Sequence, residues 1–281
     1  MTNIINAIIN IVKTPITKIH EYTKLNNRVN SLGYGLEEYI KDIFADTLGE
    51  VDDGIRNEKI NQTFSYLGNT NNPPDAILRD GDAIEVKKIE NYNSGLALNS
   101  SYPKSKLFSD SYMITDACKN CEIWKEKDII YIVGSVNNNK LYNLFFVYGI
   151  DFAADYKIYE NIKNKIKEGI LNISDIEFKE TKELGRVNKI DPLGITYLRI
   201  RGMWHILNPI NLFNYVYKID KNKIFELVVI INTEKYINFE NSCKLEELLK
   251  VNKNLNIKDI KIKDPNNPAN LKEAKIITFY I

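Results

Sequence analysis

The segment from Asp75 to Ile89 constrains the fold of this chain more than any other stretch of its sequence. Residues 75–79 predict a β-strand, Asp80-Gly81 is a two-residue turn of the kind that hairpins prefer, and residues 82–89 predict the return strand. Within the return strand, alternate positions are apolar, as expected where one face packs against a core. The chain is therefore expected to build a sheet around this hairpin.

The same hairpin brings two carboxylates and one ammonium group together. Side chains alternate along a strand, so Glu85 and Lys87 point the same way, about 7 Å apart at a rise of about 3.3 Å per residue. Asp75 begins the facing strand and is folded back beside them. Carboxylate oxygens suit Mg²⁺, which polarises a phosphate in hydrolysis. We therefore expect Asp75 and Glu85 to bind metal and Lys87 to orient or activate a water molecule.

The order Pro74-Asp75, spacer, Glu85-Val86-Lys87 matches the PD…(D/E)xK pattern of a large nuclease superfamily. Taken alone, this pattern also occurs by chance. An ordinary surface hairpin with solvated charges is the alternative interpretation.

A helix predicted from Leu36 to Leu48 offers a third acidic residue. Glu37 falls inside its apolar stripe, whereas Glu38 falls on the solvent face with Lys41 and Asp42. A carboxylate on a buried stripe is costly unless it is paired or bound to metal, so Glu37 is a further catalytic candidate. The alternative is a half-exposed glutamate that the helix dipole favours.

Strands and helices alternate along the rest of the chain, which predicts an α/β or α+β class. We expect helix over residues 3–30 with a break near Pro15, a flexible Gly33-Tyr34-Gly35 before the next helix, and Gly49 at its end. Further strands are predicted at residues 129–136, 141–150, 195–206, 225–232 and 274–281, and further helices at 153–170 and 243–250.

Composition limits the class of protein. Of 281 residues, 38 are Lys or Arg and 37 are Asp or Glu, a net charge of +1 that excludes a histone-like polycation but allows a local basic groove. The three cysteines exclude a disulfide scaffold. No stretch reaches the roughly 20 apolar residues that a membrane helix needs, and the N-terminal run lacks the features of a signal peptide. We expect a cytoplasmic protein without a membrane partner.

Several polar residues outside the hairpin are candidates for DNA contact. Arg199 and Arg201 alternate on one face of a predicted strand, and arginine is the residue that most often reads guanine in the major groove. The alternative is a solvated or salt-bridged strand face. After the hairpin, Lys104 and Lys106 suit backbone phosphates, or are simply surface lysines, and the polar stretch that contains Asn99 and Ser101 suits DNA or a loop.

The Cys118-Lys119-Asn120-Cys121 spacing is that of half a zinc site. No second pair of cysteines or histidines follows it, so a full set of zinc ligands is missing from the sequence. We interpret these cysteines as packing residues.

Longer strings resemble one particular family. They are Asn71-Asn72-Pro73-Pro74-Asp75, residues 81–90, residues 97–107, residues 116–122 and Val147-Tyr148-Gly149. Together these resemble the NgoPII family of type II restriction endonucleases, most specifically over residues 69–150.

The resemblance implies a Mg²⁺-dependent enzyme that cuts both strands of unmodified double-stranded DNA, with GGCC as the implied site. It implies Asp75 and Glu85 as metal ligands and Lys87 as the catalytic lysine. A palindromic target implies a twofold homodimer, and a partner DNA methyltransferase would protect the host.

We therefore expect an α/β fold with a restriction-endonuclease-like PD-(D/E)xK core, in which helices flank a mixed central sheet. The expected organisation is one domain over 1–281, a catalytic core at about 30–150, and a C-terminal half, 151–281, that adds strands and DNA recognition. Two alternatives stay open: a repair or modification-dependent nuclease of the same fold, and a non-catalytic DNA-binding module.

Overall fold

A computed structural model describes residues 1–19, 28–69, 72–111, 113–173, 176–181 and 183–281. Of residues 28–34 and 69, only the backbone is described. Within these residues, no helix is both long and apolar enough to cross a membrane.

The helices and strands alternate along the described chain. The helices are α1 (Ile4–Lys13), α2 (Arg28–Ala45), α3 (Asp53–Thr63), α4 (Asp116–Lys119), α5 (Gly149–Phe152), α6 (Tyr156–Leu171), α7 (Pro209–Leu212), α8 (Thr233–Ile237) and α9 (Ser242–Val251). The strands are β1 (Phe64–Asn69), β2 (Asn72–Leu78), β3 (Ala83–Ile89), β4 (Leu96–Ala97), β5 (Lys106–Phe108), β6 (Glu126–Asn137), β7 (Lys140–Tyr148), β8 (Glu177–Lys179), β9 (Gly185–Asn188), β10 (Leu198–Ile200), β11 (His205–Ile206), β12 (Glu226–Asn232), β13 (Leu255–Lys263) and β14 (Leu271–Tyr280).

A nine-stranded sheet forms the centre of the fold, in the order β1-β2-β3-β6-β7-β12-β14-β13, with β5 added against β6. Strand β3 runs parallel to β6 and β7 runs parallel to β12, while the other pairs are antiparallel. The prediction of a mixed central sheet flanked by helices is confirmed. Two smaller sheets, β10-β9-β8 and β11-β4, lie outside it.

Each face of the large sheet has its own apolar core. Alternation along β3 and β6 sends Ile84 and Ile130 to one face, where they pack with α1, α2 and α9. Ala83 and Tyr131 point to the opposite face and pack with the segments around β4 and α7. At Gly134 an added Cβ would lie 2.7 Å from the Leu36 side chain, so the glycine permits α2 to lie close against β6.

Two helical predictions at the N-terminus need correction. Helix α1 ends at Lys13 and residues 14–19 are not helical, while residues 20–27 lie outside the described part of the chain. Helix α2 begins at Arg28 and runs through Gly33-Tyr34-Gly35, which we expected to be flexible. Glycine costs about 1 kcal/mol in a helix, and the packing of the following turns against the sheet overrides that preference.

Other elements were predicted with shifted bounds or missed. The strand expected at 195–206 is reduced to β10 and β11, and α3, β1 and β13 were not predicted. Strand β13 was not predicted because lysines and Asp259 interrupt its apolar residues. It is the edge of the sheet, where charged side chains discourage pairing with other chains.

Candidate active site

Strand register brings the three predicted residues of the hairpin to one site. In the antiparallel pair β2–β3, Ala76 lies opposite Ile84. This register folds Asp75 back onto β3, where its Oδ2 accepts a hydrogen bond of 2.6 Å from the Val86 backbone N–H. On the other side of β3, Glu85 lies in register with Tyr131 of the parallel strand β6.

The charges at this site are tightly coupled. Lys87 Nζ donates to Glu85 Oε1 at 2.5 Å, whereas the other oxygen of Glu85, Oε2, is buried and has no hydrogen-bond partner. Desolvation and the nearby Glu85 carboxylate raise the pKa of Asp75 to about 8. Burial opposes the charge on Lys87, but Glu85 and Asp75 outweigh it and raise the pKa of Lys87 to about 12.

Helix α2 supplies Glu37 to the edge of this cluster. Burial raises the pKa of Glu37, and the neighbouring charges that act on it include Lys87 and Glu85 from β3. Glu38 instead forms ion pairs with Lys41 at 2.6 Å and with Arg56 of α3 at 2.8 Å. Of the two adjacent glutamates, Glu37 is therefore the one that approaches the site.

The predicted solvent face of α2 is wrong at two positions. The Asp42 side chain is 3% exposed and pairs with Arg56 Nε at 2.7 Å, and the Glu38 side chain is only 13% exposed. The reason is α3, which was not predicted and covers this face of α2 with Arg56.

The cluster opens into a cleft of about 680 Å³. It is lined both by Asp75, Glu85 and Lys87 of the β2–β3 hairpin and by residues of the C-terminal half, among them Arg201. We call residues 199–204 the arginine segment. The remaining residues that line the cleft are Asn72, Pro73, Leu98, Asn99, Ser100, Ser101, Tyr102, Lys104, Met113, Ile129, Tyr131, Glu183, Gly202 and Met203.

Lys104 is a buried residue of this cleft, and the interpretation of it as a surface lysine is wrong. Its backbone N–H donates to the Tyr131 hydroxyl at 2.8 Å, and its ammonium group contacts the Ser101 hydroxyl. Burial lowers the pKa of Lys104 to about 8, although the nearby Glu85 opposes the shift. Gly149 permits this position, since an added Cβ there would lie 2.4 Å from the Lys104 carbonyl oxygen.

Lys106 is not brought into the cleft. Pairing of β5 with β6 sets Lys106 opposite Asp128, and its ammonium lies 2.6 Å from Glu126 and 3.9 Å from Asp128. The two lysines that looked equivalent in the sequence therefore differ, because one precedes the short strand β5 and the other begins it.

Arg199 and Arg201 share a face, as the predicted alternation requires, and both contact Glu183. Arg199 Nε lies 2.9 Å and Arg201 Nε lies 3.1 Å from Glu183 Oε2. Of the two arginines, Arg201 lines the cleft. The ladder between β4 and β11 fixes this segment beside Asn99, whose carbonyl oxygen accepts from Trp204 N–H at 2.8 Å.

Comparison with known proteins decides the family. The sequence matches the family described as NgoPII restriction endonuclease over residues 2–263. The chain belongs to the NgoPII restriction endonuclease family. It is 56% identical over 282 positions to the type II restriction enzyme NgoPII of Neisseria gonorrhoeae, covering 99% of this chain and 100% of that protein.

No solved structure matches the chain. Family membership confirms the resemblance drawn from the sequence and the predicted enzyme class, a type II restriction endonuclease.

The donor set of this NgoPII-family site fits a divalent cation. Glu85 Oε2 is a buried oxygen without a partner, and burial together with the nearby Glu85 carboxylate raises the pKa of Asp75. A cation between them would satisfy that oxygen and relieve the repulsion. Among the described residues, no group of three or more His, Cys, Asp or Glu side chains could hold a metal ion. A cation here would therefore depend on oxygens from water and phosphate, as Mg²⁺ commonly does.

Sequence reasoning missed Tyr131 and Glu183. Tyr131 sits inside an apolar run, and its parallel pairing with Glu85 depends on a strand crossover that the sequence does not reveal. Glu183 lies far from the hairpin in the sequence and joins the site through Ser100, whose hydroxyl donates to it at 2.8 Å. A single glutamate in a polar loop carries no local signal.

Cys118 and Cys121, the two cysteines of the half zinc-site spacing, are both free thiols. Cys118 is buried in α4, where burial raises the pKa of its thiol to about 12, and Cys121 is half-buried. A buried, protonated thiol is unreactive, in keeping with a packing role.

Proposed function

We propose that this NgoPII-family endonuclease has a PD-(D/E)xK core and hydrolyses both strands of double-stranded DNA with Mg²⁺. The observation that carries this proposal is the convergence of Asp75, Glu85 and Lys87 at the cleft, with one buried Glu85 oxygen free for a ligand. The short palindrome GGCC, which the sequence resemblance implies, is the proposed site.

In the proposed mechanism, Asp75 and Glu85 are the residues that would hold Mg²⁺. When bound, the ion polarises the scissile phosphate and stabilises charge on the leaving oxygen. A water oxygen forms a bond to phosphorus and releases a proton to solvent, while the bond from phosphorus to the leaving sugar oxygen breaks and that oxygen takes up a proton from solvent. With its pKa raised to about 12, Lys87 keeps its charge at neutral pH and acts by orienting the water or a phosphate oxygen.

Further residues of the cleft have proposed supporting roles. Glu37 adds negative charge next to Lys87 and helps to keep it protonated. We assign DNA contacts to Asn99, Ser101, Lys104 and Arg201, which line the cleft, and to Arg199 beside it. Lys106 is a weaker candidate, because its charge is balanced by Glu126.

The proposed organisation is one domain over residues 1–281, with the core at about 30–150 and recognition from 151–281. Two observations support it: β12 to β14 belong to the same sheet as the hairpin, and Lys235 bonds Asp82 at 3.1 Å and Asp128 at 2.5 Å. A palindromic target would use a homodimer with one site for each strand. We also propose a cognate DNA methyltransferase as the functional partner.

Digestion of a sequenced plasmid tests this function. Purified protein with Mg²⁺ is expected to give discrete fragments that end at GGCC, and the fragments are expected to disappear with EDTA and in Asp75→Asn. Asp259→Asn is a matched control, because Asp259 pairs with Lys275 on the exposed sheet edge. Discrete ends at another sequence would contradict the proposed target, and no cleavage of unmodified DNA would favour a modification-dependent nuclease or a binding module.

A further inference from the structure

Glu183 is an acidic residue of the cleft wall for which the proposed mechanism has no use. Its Oε2 accepts from Arg199 Nε and contacts Arg201 Nε, and its Oε1 accepts from the Ser100 hydroxyl at 2.8 Å. The Glu183 side chain is 11% exposed, whereas the two arginine side chains are 50% and 58% exposed. One enclosed carboxylate therefore anchors two exposed guanidinium groups.

Glu183 contacts each arginine at the equivalent atom, the Nε of its guanidinium group. In the described part of the chain, no hydrogen bond or ion pair engages the Nη atoms of Arg199 or Arg201. Arginine reads guanine by donating two hydrogen bonds to O6 and N7. An anchor at Nε leaves the Nη groups available for that contact while it restricts the orientation of the planar fork.

The anchor also joins the segment that carries the two arginines to the loop that follows β4. Ser100 belongs to the loop that follows β4, and this loop is tied to the arginine segment by backbone bonds between Leu98 N–H and the Trp204 carbonyl, at 2.9 Å, and between Trp204 N–H and Asn99. Glu183 adds a side-chain connection, because it contacts Ser100 of this loop and both arginines. A side chain held in this way has its orientation set before DNA binds.

We propose that Glu183 is a positioning residue for sequence specificity, which orients Arg199 and Arg201 toward guanine in the DNA target. This inference rests on the proposed function as a DNA endonuclease. It differs from a simple charge mask, in which the carboxylate would weaken binding to every DNA sequence equally. The net charge of the three groups remains positive, so the cluster still attracts DNA.

The test is the substitution Glu183→Gln, which keeps the size of the side chain and removes its charge. The control is Glu273→Gln, because Glu273 forms an ion pair of 2.9 Å with Lys261 on the exposed β13–β14 edge. Binding is measured with Ca²⁺ in place of Mg²⁺, using a duplex that holds the mapped cleavage site and a duplex with one base pair of that site changed.

We expect Glu183→Gln to reduce the affinity ratio between the two duplexes by about 10- to 100-fold, since each well-oriented arginine–guanine contact contributes discrimination of that order. The control is expected to keep the ratio within about twofold, as is typical of exposed ion pairs. The control Glu273→Gln is expected to keep the wild-type single-turnover cleavage rate, because Glu273 pairs with Lys261 on the exposed sheet edge.

Equal changes in the affinity for both duplexes would contradict positioning and indicate a charge mask. An unchanged ratio would show an ion pair without a role in recognition. Should Glu183→Gln fail to fold, Arg201→Lys keeps the charge, lacks the planar fork and is expected to reduce the ratio in the same direction. A wild-type protein without any sequence preference would overturn the proposed function, whereas a wild-type preference that survives in Glu183→Gln overturns only this inference.

Discussion

The catalytic hairpin and the arginine segment face the same cleft but are held in place by different means. Asp75, Glu85 and Lys87 are fixed by strands β2 and β3 inside a nine-stranded sheet. Arg199 and Arg201 lie in or next to a three-stranded sheet, are about half exposed, and depend on Glu183 for their orientation. Backbone register positions the proposed catalytic residues, whereas the contacts of one side chain, Glu183, position the arginines proposed for recognition.

The difference predicts how each region responds to substitution. Changes in the hairpin are expected to remove a chemical group from a frame that stays in place, because the frame is made of backbone hydrogen bonds. Changes around the arginines are expected to alter orientation and therefore specificity.

The largest effect is expected for Lys87→Ala. Loss of the ammonium beside the scissile phosphate is expected to lower the single-turnover cleavage rate by at least about 100-fold, because it removes a preorganised charge from the site. Lys88→Ala is the matched control, since Lys88 forms its ion pair with the exposed Glu90. Equal rates for the two variants would contradict the assignment of Lys87.

Gly149→Ala tests whether the backbone frame holds the cleft. The added Cβ would lie 2.4 Å from the Lys104 carbonyl oxygen, so the loop must shift at a cost of about 1–3 kcal/mol in the free energy of unfolding. Gly169→Ala in α6 has open space within 4 Å and is expected to stabilise the protein by about 0.5–1 kcal/mol. Thermal denaturation compares them, and a Gly149→Ala variant as stable as wild type would contradict the close packing.

The raised pKa of Asp75 predicts a pH-dependent stability of the metal-free protein. Its carboxyl binds a proton in the folded state up to about pH 8 but loses it near the ordinary value of 3.8 when unfolded. Stability from this group is therefore complete below about pH 4 and is lost as pH rises toward 8, by at most about 1.4 kcal/mol per pH unit.

Melting temperatures in EDTA between pH 5 and 8 check this slope. We expect Asp75→Asn to flatten it relative to wild type, while the exposed Asp259→Asn leaves it unchanged. A wild-type slope that persists in Asp75→Asn would assign the effect to other groups.

The smallest effect is expected for Lys106→Ala. Its ammonium is balanced by Glu126 outside the cleft, so DNA affinity is expected to change by less than about threefold. Lys104→Ala, in the cleft, is expected to weaken binding more. Titration of labelled duplex with both variants separates the lysines, and a larger loss in Lys106→Ala would contradict the placement of DNA in this cleft.

Local pattern was sufficient to predict the hairpin of β2 and β3 and the convergence of its charged residues. The turn residues, the period of two and the charges of Asp75, Glu85 and Lys87 all lie within 13 consecutive positions, so strand geometry alone brings them together. The helix that carries Glu37 was also predicted from its apolar spacing. The predicted start of this helix was wrong. Tertiary packing decides where the helix begins, and the low helix propensity of glycine does not reflect that packing.

The rest of the site depends on contacts between distant segments. Lys104 is buried because Gly149 and Tyr131 close around it, and Glu183 reaches the arginines and Ser100 from its own loop. Neither arrangement produces a periodic pattern of apolar residues from which it could have been predicted. The structure therefore adds most for the residues of the cleft that lie outside the hairpin.

Diffraction from crystals of the protein with a GGCC duplex and Mn²⁺, recorded at the manganese absorption edge, tests the central claim most directly. We expect one anomalous peak per DNA strand between Asp75 and Glu85, adjacent to a phosphate of the target. A duplex bound with its phosphates away from this cleft, or manganese bound only elsewhere on the protein, would contradict the account.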